Sequence, residues 1–283
     1  KGNSVFVLDG NGNNTGVLNH DLNEIADAYI DFLSGNEHQK SEYIFTIKKS
    51  EVKDHININP QHYSPKLNAA LDSVLAFDNK DNWATTTVGQ LEAGIRIYIG
   101  PRWNSASIKV DSPTDTSNLV PYLTANAALE LRRLTVKWLD ARKANPQQRQ
   151  CIDMLKIHEG DILISRSGTI GKVTYATKDL AENYIVSDDL VRIRVKDANL
   201  RAYLLAYFTS STALALMLLD EYGSVQQHLQ PRHIQEMLIP VPDDWSLAHD
   251  MIDAGNMFIK AMEDMSKADR KIRTQGFDAL IAE

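Results

Sequence analysis

At 283 residues with 43% hydrophobic side chains, the chain can bury a sizeable core and suits one large or two modest domains. No apolar run approaches the ~20 residues that cross a bilayer, the opening residues KGNSVFVLDGNGNN lack a secretory-signal pattern, and the single Cys151 excludes an internal disulfide, so the cytoplasm is the expected location. The net charge of −7 argues against a non-specific polyanion binder, yet residues 81–243 carry 18 Lys and Arg against 18 Asp and Glu, which confines the whole excess to the flanks.

In chain order, residues 18–33 have helical spacing, with Leu22, Ile25, Ala26, Tyr29 and Phe32 on one face. A short strand follows in YIFTIKK, then a stretch punctuated by Pro60 and Pro65. One helix and one strand are too little for a domain, so residues 1–80 read as a flank. The middle part, 81–243, opens with TVGQLEAGIRIYIG and a polar loop, and continues into the strand-like LVPYLTANAALELRRLTVKW. YIVSDDLVRIRV reads as an alternating strand, with Asp188 and Asp189 a solvated turn ahead of it. LRAYLLAYFTSSTALALMLLDEYG reads as one apolar helix ended by Gly223, and a shorter helix and a Pro-bounded strand come after it. Mixed elements without regular βαβ alternation predict an α+β fold, followed by a long C-terminal helix.

That helix is expected over 244–283. Met251, Phe258, Met265 and Ile272 recur every seven residues, and Ala254, Ala261, Ala268 and Gln275 lie three residues after them. Large and small residues then alternate along one seam, which suits close approach of a second helix. Packing of the same helix on its own domain is the alternative.

GDILISRSGTIGKV, residues 160–173, invites comparison with a phosphate-cradling loop and fails it. Only two residues separate Gly168 from Gly171, and Lys172 is followed by Val173 rather than Ser or Thr. Alternation on both sides predicts strand, tight turn, strand, with Arg166, Ser167, Thr169 and Lys172 at the tip. Elsewhere no zinc-protease motif, paired cysteines or nucleophile elbow occurs. His228 and His233 have no evident third metal ligand, so no metal and no cofactor are expected. Asn59-Pro60 is followed by Gln61 and His62, so it does not form the Asn-Pro-Pro-aromatic motif of amino-methyltransferases.

The ordered set VPYLTANAALE, GDILISRSGTIGKV, YIVSDDLVRIRV, AYLLAYFTSS, GSVQQHLQPRHIQEMLIPVP and the terminal helix resembles a target recognition domain of type I restriction-modification specificity subunits. The likeness covers about 160 residues plus the helix. It implies a twisted unit reading half of a bipartite DNA sequence, with long helices as spacers between two such units; this chain has one of each. The N-terminal flank is similar to the C-terminal tail of N6-adenine DNA methyltransferases, as in single-chain fusions. The resemblance implies double-stranded DNA, an adenine methyltransferase subunit or domain, and a restriction subunit as partners, and no catalysis by the chain itself. A second copy pairing through the terminal helix would make a homodimer.

On that reading, the expected DNA contacts are Arg166, Ser167, Thr169 and Lys172 at the hairpin, Arg192 on the following strand, and Gln226, Gln227, His228 and Arg232. Cations suit phosphates, and Gln and Arg suit bidentate reading of adenine and guanine. The expected helix interface is Met251, Phe258, Met265 and Ile272. A protein-interaction module that docks through the helix and binds no nucleic acid is the competing reading, and the acidic balance favours it.

Overall fold

The computed structural model describes residues 5–8, 14–18, 20–36, 65–91, 94–130, 136–218 and 228–275. The chain forms two compact units, residues 1–69 and 70–283. In the first, β1 (Val5–Leu8) and β2 (Asn14–Leu18) pair antiparallel, and α1 (His20–Leu33) follows. Tyr29 and Phe32, on the apolar face expected of α1, are exposed. The strand expected at YIFTIKK lies outside the described residues. The boundary between units falls inside α2 (Pro65–Leu75), which Pro65 opens at the first helical position.

The second unit is α+β, as expected. β3 (Trp83–Thr87) pairs antiparallel with a late strand, Leu238–Pro242. β4 (Arg96–Ile99) lies at one edge of an antiparallel four-stranded sheet. β5 (Lys109–Val110), β6 (Val120–Leu123) and β7 (Lys137–Leu139) belong to another, with the short helix α3 (Ala125–Leu129) between β6 and β7. Thr124 caps α3 by accepting from Ala127 N–H, so the segment expected as one strand breaks at a built-in helix start. α4 (Pro146–Met154) begins with a reciprocal Asn145–Gln148 capping box.

β8 (Ile162–Ser165) and β9 (Val173–Tyr175) form the expected hairpin, in register Ile162 to Tyr175 and Ile164 to Val173. α5 (Lys178–Asn183) follows. β10 (Ile185–Val186) then joins β6 in parallel, whereas β11 (Leu190–Arg194) sits between β4 and β8 in the first sheet. The sequence YIVSDDLVRIRV is therefore two strands in two sheets, and the chain crosses between them at Ser187-Asp188-Asp189. Leu123, Leu163, Leu180, Val186 and Leu190 bury together where the sheets meet.

The single long helix expected after β11 is also two: α6 (Ala198–Phe208) and α7 (Ser211–Met217). Thr209 Oγ1 donates back to the Leu205 and Ala206 carbonyls, closing α6, and Ser210 accepts from Ala213 N–H, opening α7. Hydrophobicity runs through both helices and hides the paired cap between them. α8 (Pro231–Glu236) precedes β12 (Leu238–Pro242), whose Leu238 and Pro240 carbonyls accept from Tyr207 and Tyr203 of α6, each at 2.5 Å.

α9 (His249–Gln275) ends the described chain, entered through a single 3-10 turn. It crosses α6 at Gly255, where an added Cβ would stand 2.0 Å from the Ala202 carbonyl oxygen. Only glycine lets the two backbones meet there. Further along, Ser266 hydrogen-bonds the buried Thr177, and Arg273 reaches both Asp269 and the Tyr184 hydroxyl. α9 is thus fixed to its own domain along one face.

Candidate nucleic-acid interface

The hairpin tip is organised by Ser165. Its buried hydroxyl donates to the Thr169 carbonyl and accepts from Lys172 N–H, and its backbone exchanges hydrogen bonds with Lys172 and Gly171. Gly168 and Gly171 have φ of 72° and 81°, a region that favours glycine. Their surroundings differ. Gly168 faces open space, whereas a Cβ on Gly171 would lie 2.5 Å from a Leu214 methyl of α7. The second glycine therefore admits a helix of the domain, and only the first keeps the tip thin. β9 follows the turn where a phosphate loop would have a helix, so the hairpin reading holds.

Arg166 holds three segments together. Its backbone N–H donates to the Asp189 carbonyl, its Nη1 to the Asp188 carbonyl at 3.4 Å, and its Nε to the Leu229 carbonyl at 3.2 Å. Leu229 N–H returns a bond to the Arg166 carbonyl at 2.9 Å. Beside it, the Ser167 hydroxyl donates to one Asp189 carboxylate oxygen at 2.8 Å and Ser187 to the other at 3.3 Å. Hairpin tip, sheet crossover and the entry to α8 thereby form one surface. Thr169 and Lys172 are exposed on it.

Gln230 begins α8 by donating its N–H to His233 Nδ1, and Pro231 occupies the first turn. Arg232 projects outward with its terminal nitrogens unpartnered among the described residues. His228 is half-buried, and its Nδ1 has no partner among the described residues. Gln226 and Gln227 lie outside the described residues.

Arg192 is a correction. It is fully buried, its Nη1 donating to the Met154 and Lys156 carbonyls and its Nη2 to the Val186 carbonyl at 3.0 Å. Met154 ends α4, so the cation meets carbonyls left over at a helix C-terminus. Gly100 makes room for it: a Cβ there would come within 2.8 Å of the guanidinium. Burial pulls the Arg192 pKa below its usual value, and the side chain cannot reach DNA. Arg194 is likewise engaged, gripping the fully buried Asp161 through two bonds of 2.8 and 3.0 Å, with the Tyr98 hydroxyl at 2.6 Å. That bond to Asp161 raises the Arg194 pKa. Both arginines of LVRIRVK thus serve the internal framework, and Lys196 at its end is exposed.

Two residues near the crossover, Arg102 and Trp103, were not anticipated, and Asp188 and Asp189, expected as a solvated turn, are half-buried. Arg102 is exposed and close enough to the Asp188 carboxyl to stabilise its charge. Trp103 packs edge-on against Tyr122, ring centroids 6.2 Å apart. The only sequence signal was the adjacency of a cation and an aromatic residue in GPRW. Asp188 is half-buried, and its pKa is raised, first by burial and then by the charge of Asp189.

The expected interface of α9 faces away from the contacts that fix it. Ile252, Gly255, Ser266 and Asp269 are buried, whereas Met251 is 37%, Met265 42% and Ile272 48% exposed, with Phe258 half-buried. Ala254, Ala261 and Ala268 are exposed too.

Residues 102–246 match the family described as the type I restriction modification DNA specificity domain. The chain belongs to this family. The matched span runs from Arg102 to the turn before α9 and contains the hairpin, the crossover and α8. Solved structures similar to the specificity domain include the HsdS subunit from Thermoanaerobacter tengcongensis, 16% identical over 76% of this chain and 48% of that one, TM-score 0.42. The type I restriction-modification S subunit from M. genitalium is 15% identical over 70% and 45%, TM-score 0.42. The type IIG restriction endonuclease BpuSI is 12% identical over 83% and 33%, TM-score 0.48. The chain spans about half the length of the S subunits and a third of the endonuclease. No curated protein matches it. Among the described residues, no helix is long and apolar enough to cross a membrane.

Proposed function

We propose that this chain reads DNA sequence as the specificity part of a type I-like restriction-modification or adenine methyltransferase system, and that chemistry resides in a partner. The observation that carries the reading, beside family membership, is the single surface assembled by Arg166. It ties the hairpin turn, which carries the outward Thr169 and Lys172, to the crossover and to the segment that enters α8, which carries the outward Arg232. Lys172 suits phosphate, and Arg232 suits a guanine edge. Gln226 and Gln227, on the segment leading to His228, have the chemistry for adenine. Arg166 and Ser167 act by positioning. Selection of bound sequences from a random duplex pool tests this: a reader enriches a defined motif, and a protein-interaction module that ignores DNA enriches none.

In this scheme residues 81–243 form the recognition domain, 244–283 the spacer, and 1–80 the tail of a methyltransferase. The partners are an adenine methyltransferase subunit or domain, a restriction subunit, and a second copy. The exposed Met251, Met265 and Ile272 stripe, lined by small alanines, fits a helix from that second copy. An antiparallel pair would hold two recognition domains apart and give a palindromic two-part site. Light scattering should then find a dimer, and Phe258→Asp with Met265→Asp a folded monomer.

A further inference from the structure

We propose that Asp188 is a base-reading residue whose carboxylate accepts a hydrogen bond from the exocyclic amino group of a cytosine in the major groove. The inference rests on the DNA-reading function above and names one residue that sets its specificity.

Asp188 sits where the chain leaves β10 for β11, beside the hairpin tip, and its own carbonyl is one of the three that orient Arg166. Its neighbour Asp189 has both carboxylate oxygens engaged, by Ser167 and Ser187, and so serves the local architecture. The Asp188 carboxylate differs. No side-chain donor among the described residues hydrogen-bonds it. Arg102 and Arg166 stand near enough to stabilise the charge, yet the Arg166 Nε and Nη1 donate to carbonyls and not to this carboxylate. A half-buried anion with open acceptor sites is thus held among cations.

On a surface that meets phosphates such a charge weakens binding to every duplex, so its benefit must lie at a base edge. An ionised carboxylate only accepts hydrogen bonds. Cytosine offers the matching major-groove edge, a lone N4 donor, whereas adenine places the N7 acceptor beside its N6 donor and would repel the second oxygen. Arg102, next to Asp188, can balance the phosphate repulsion. Burial raises the Asp188 pKa, so the fold holds this charge against a cost of its own.

The test is selection from a random duplex pool with the full chain, its Asp188→Asn variant and its Asp188→Ala variant. Parent protein should enrich a motif with cytosine at one position. Asp188→Asn, whose amide both donates and accepts, should move that position toward adenine, and Asp188→Ala should lose the preference there by about ten-fold. All other positions should stay unchanged. Identical motifs from parent and both variants overturn the role of Asp188 while leaving DNA reading intact, as does a uniform loss of affinity. Failure of the parent to enrich any motif overturns both. Circular dichroism melting at pH 7 is the fold control, and Asp188→Asn should melt no lower than the parent because it removes a charge that burial disfavours. Asp188→Ser substitutes in the same test for a variant that does not fold.

Discussion

Two sets of arginines divide the specificity domain. Arg192 and Arg194 of β11 donate inward, to the carbonyls at the end of α4 and β10 and to the buried Asp161. Arg232 of α8 and Arg102 beside the crossover face outward. Arg166 stands between the sets, half-buried, using its donors to hold the outer surface in shape. A positive charge in the sequence therefore says little by itself. What decides its task is whether backbone carbonyls or carboxylates of the fold already meet its hydrogens.

The contrast can be broken by substitution. Removing an inner arginine should damage the fold: Arg192→Ala leaves three carbonyls without their donor and a cavity against Tyr98, for a loss of about 3–5 kcal/mol by denaturant titration. A loss under about 1 kcal/mol would mean water replaces the guanidinium and the inner set is dispensable. Removing an outer one should not touch stability. Arg232→Ala is expected to melt within about 0.5 kcal/mol of the parent and to relax preference at one or two base pairs by ~1–3 kcal/mol. Uniform weakening across sequences would place Arg232 on the backbone instead. The smallest effect belongs to Lys172→Ala, which should weaken binding to all duplexes alike and lower the salt slope by roughly one unit. An unchanged slope would remove the tip from the interface.

The hairpin was readable because both of its signals are local: strict alternation on either side, and glycines at a spacing too short for a phosphate loop. The heptad stripe of α9 was readable for the same reason, and it remains exposed while a different face, through Ile252, Gly255, Ser266 and Asp269, packs inward. The division of YIVSDDLVRIRV between two sheets was not readable, since each half alternates as one strand would. That division is what puts Asp188 beside Arg166. Arg192 misled because a cation in an alternating strand looks exposed. Its burial depends on the C-terminus of α4, some forty residues earlier, and on the space left by Gly100. The pairing of Arg102 and Trp103 with the crossover is equally a product of folding, joining residues more than eighty positions apart.

The central claim is that one assembled surface distinguishes DNA sequences. It is tested most directly by the equilibrium affinity of the full chain for its selected duplex against a scrambled duplex of the same composition, at one fixed salt concentration. Several mismatched base pairs at ~1–3 kcal/mol each should separate the two by at least about a hundred-fold. Equal affinities for both duplexes would contradict the account.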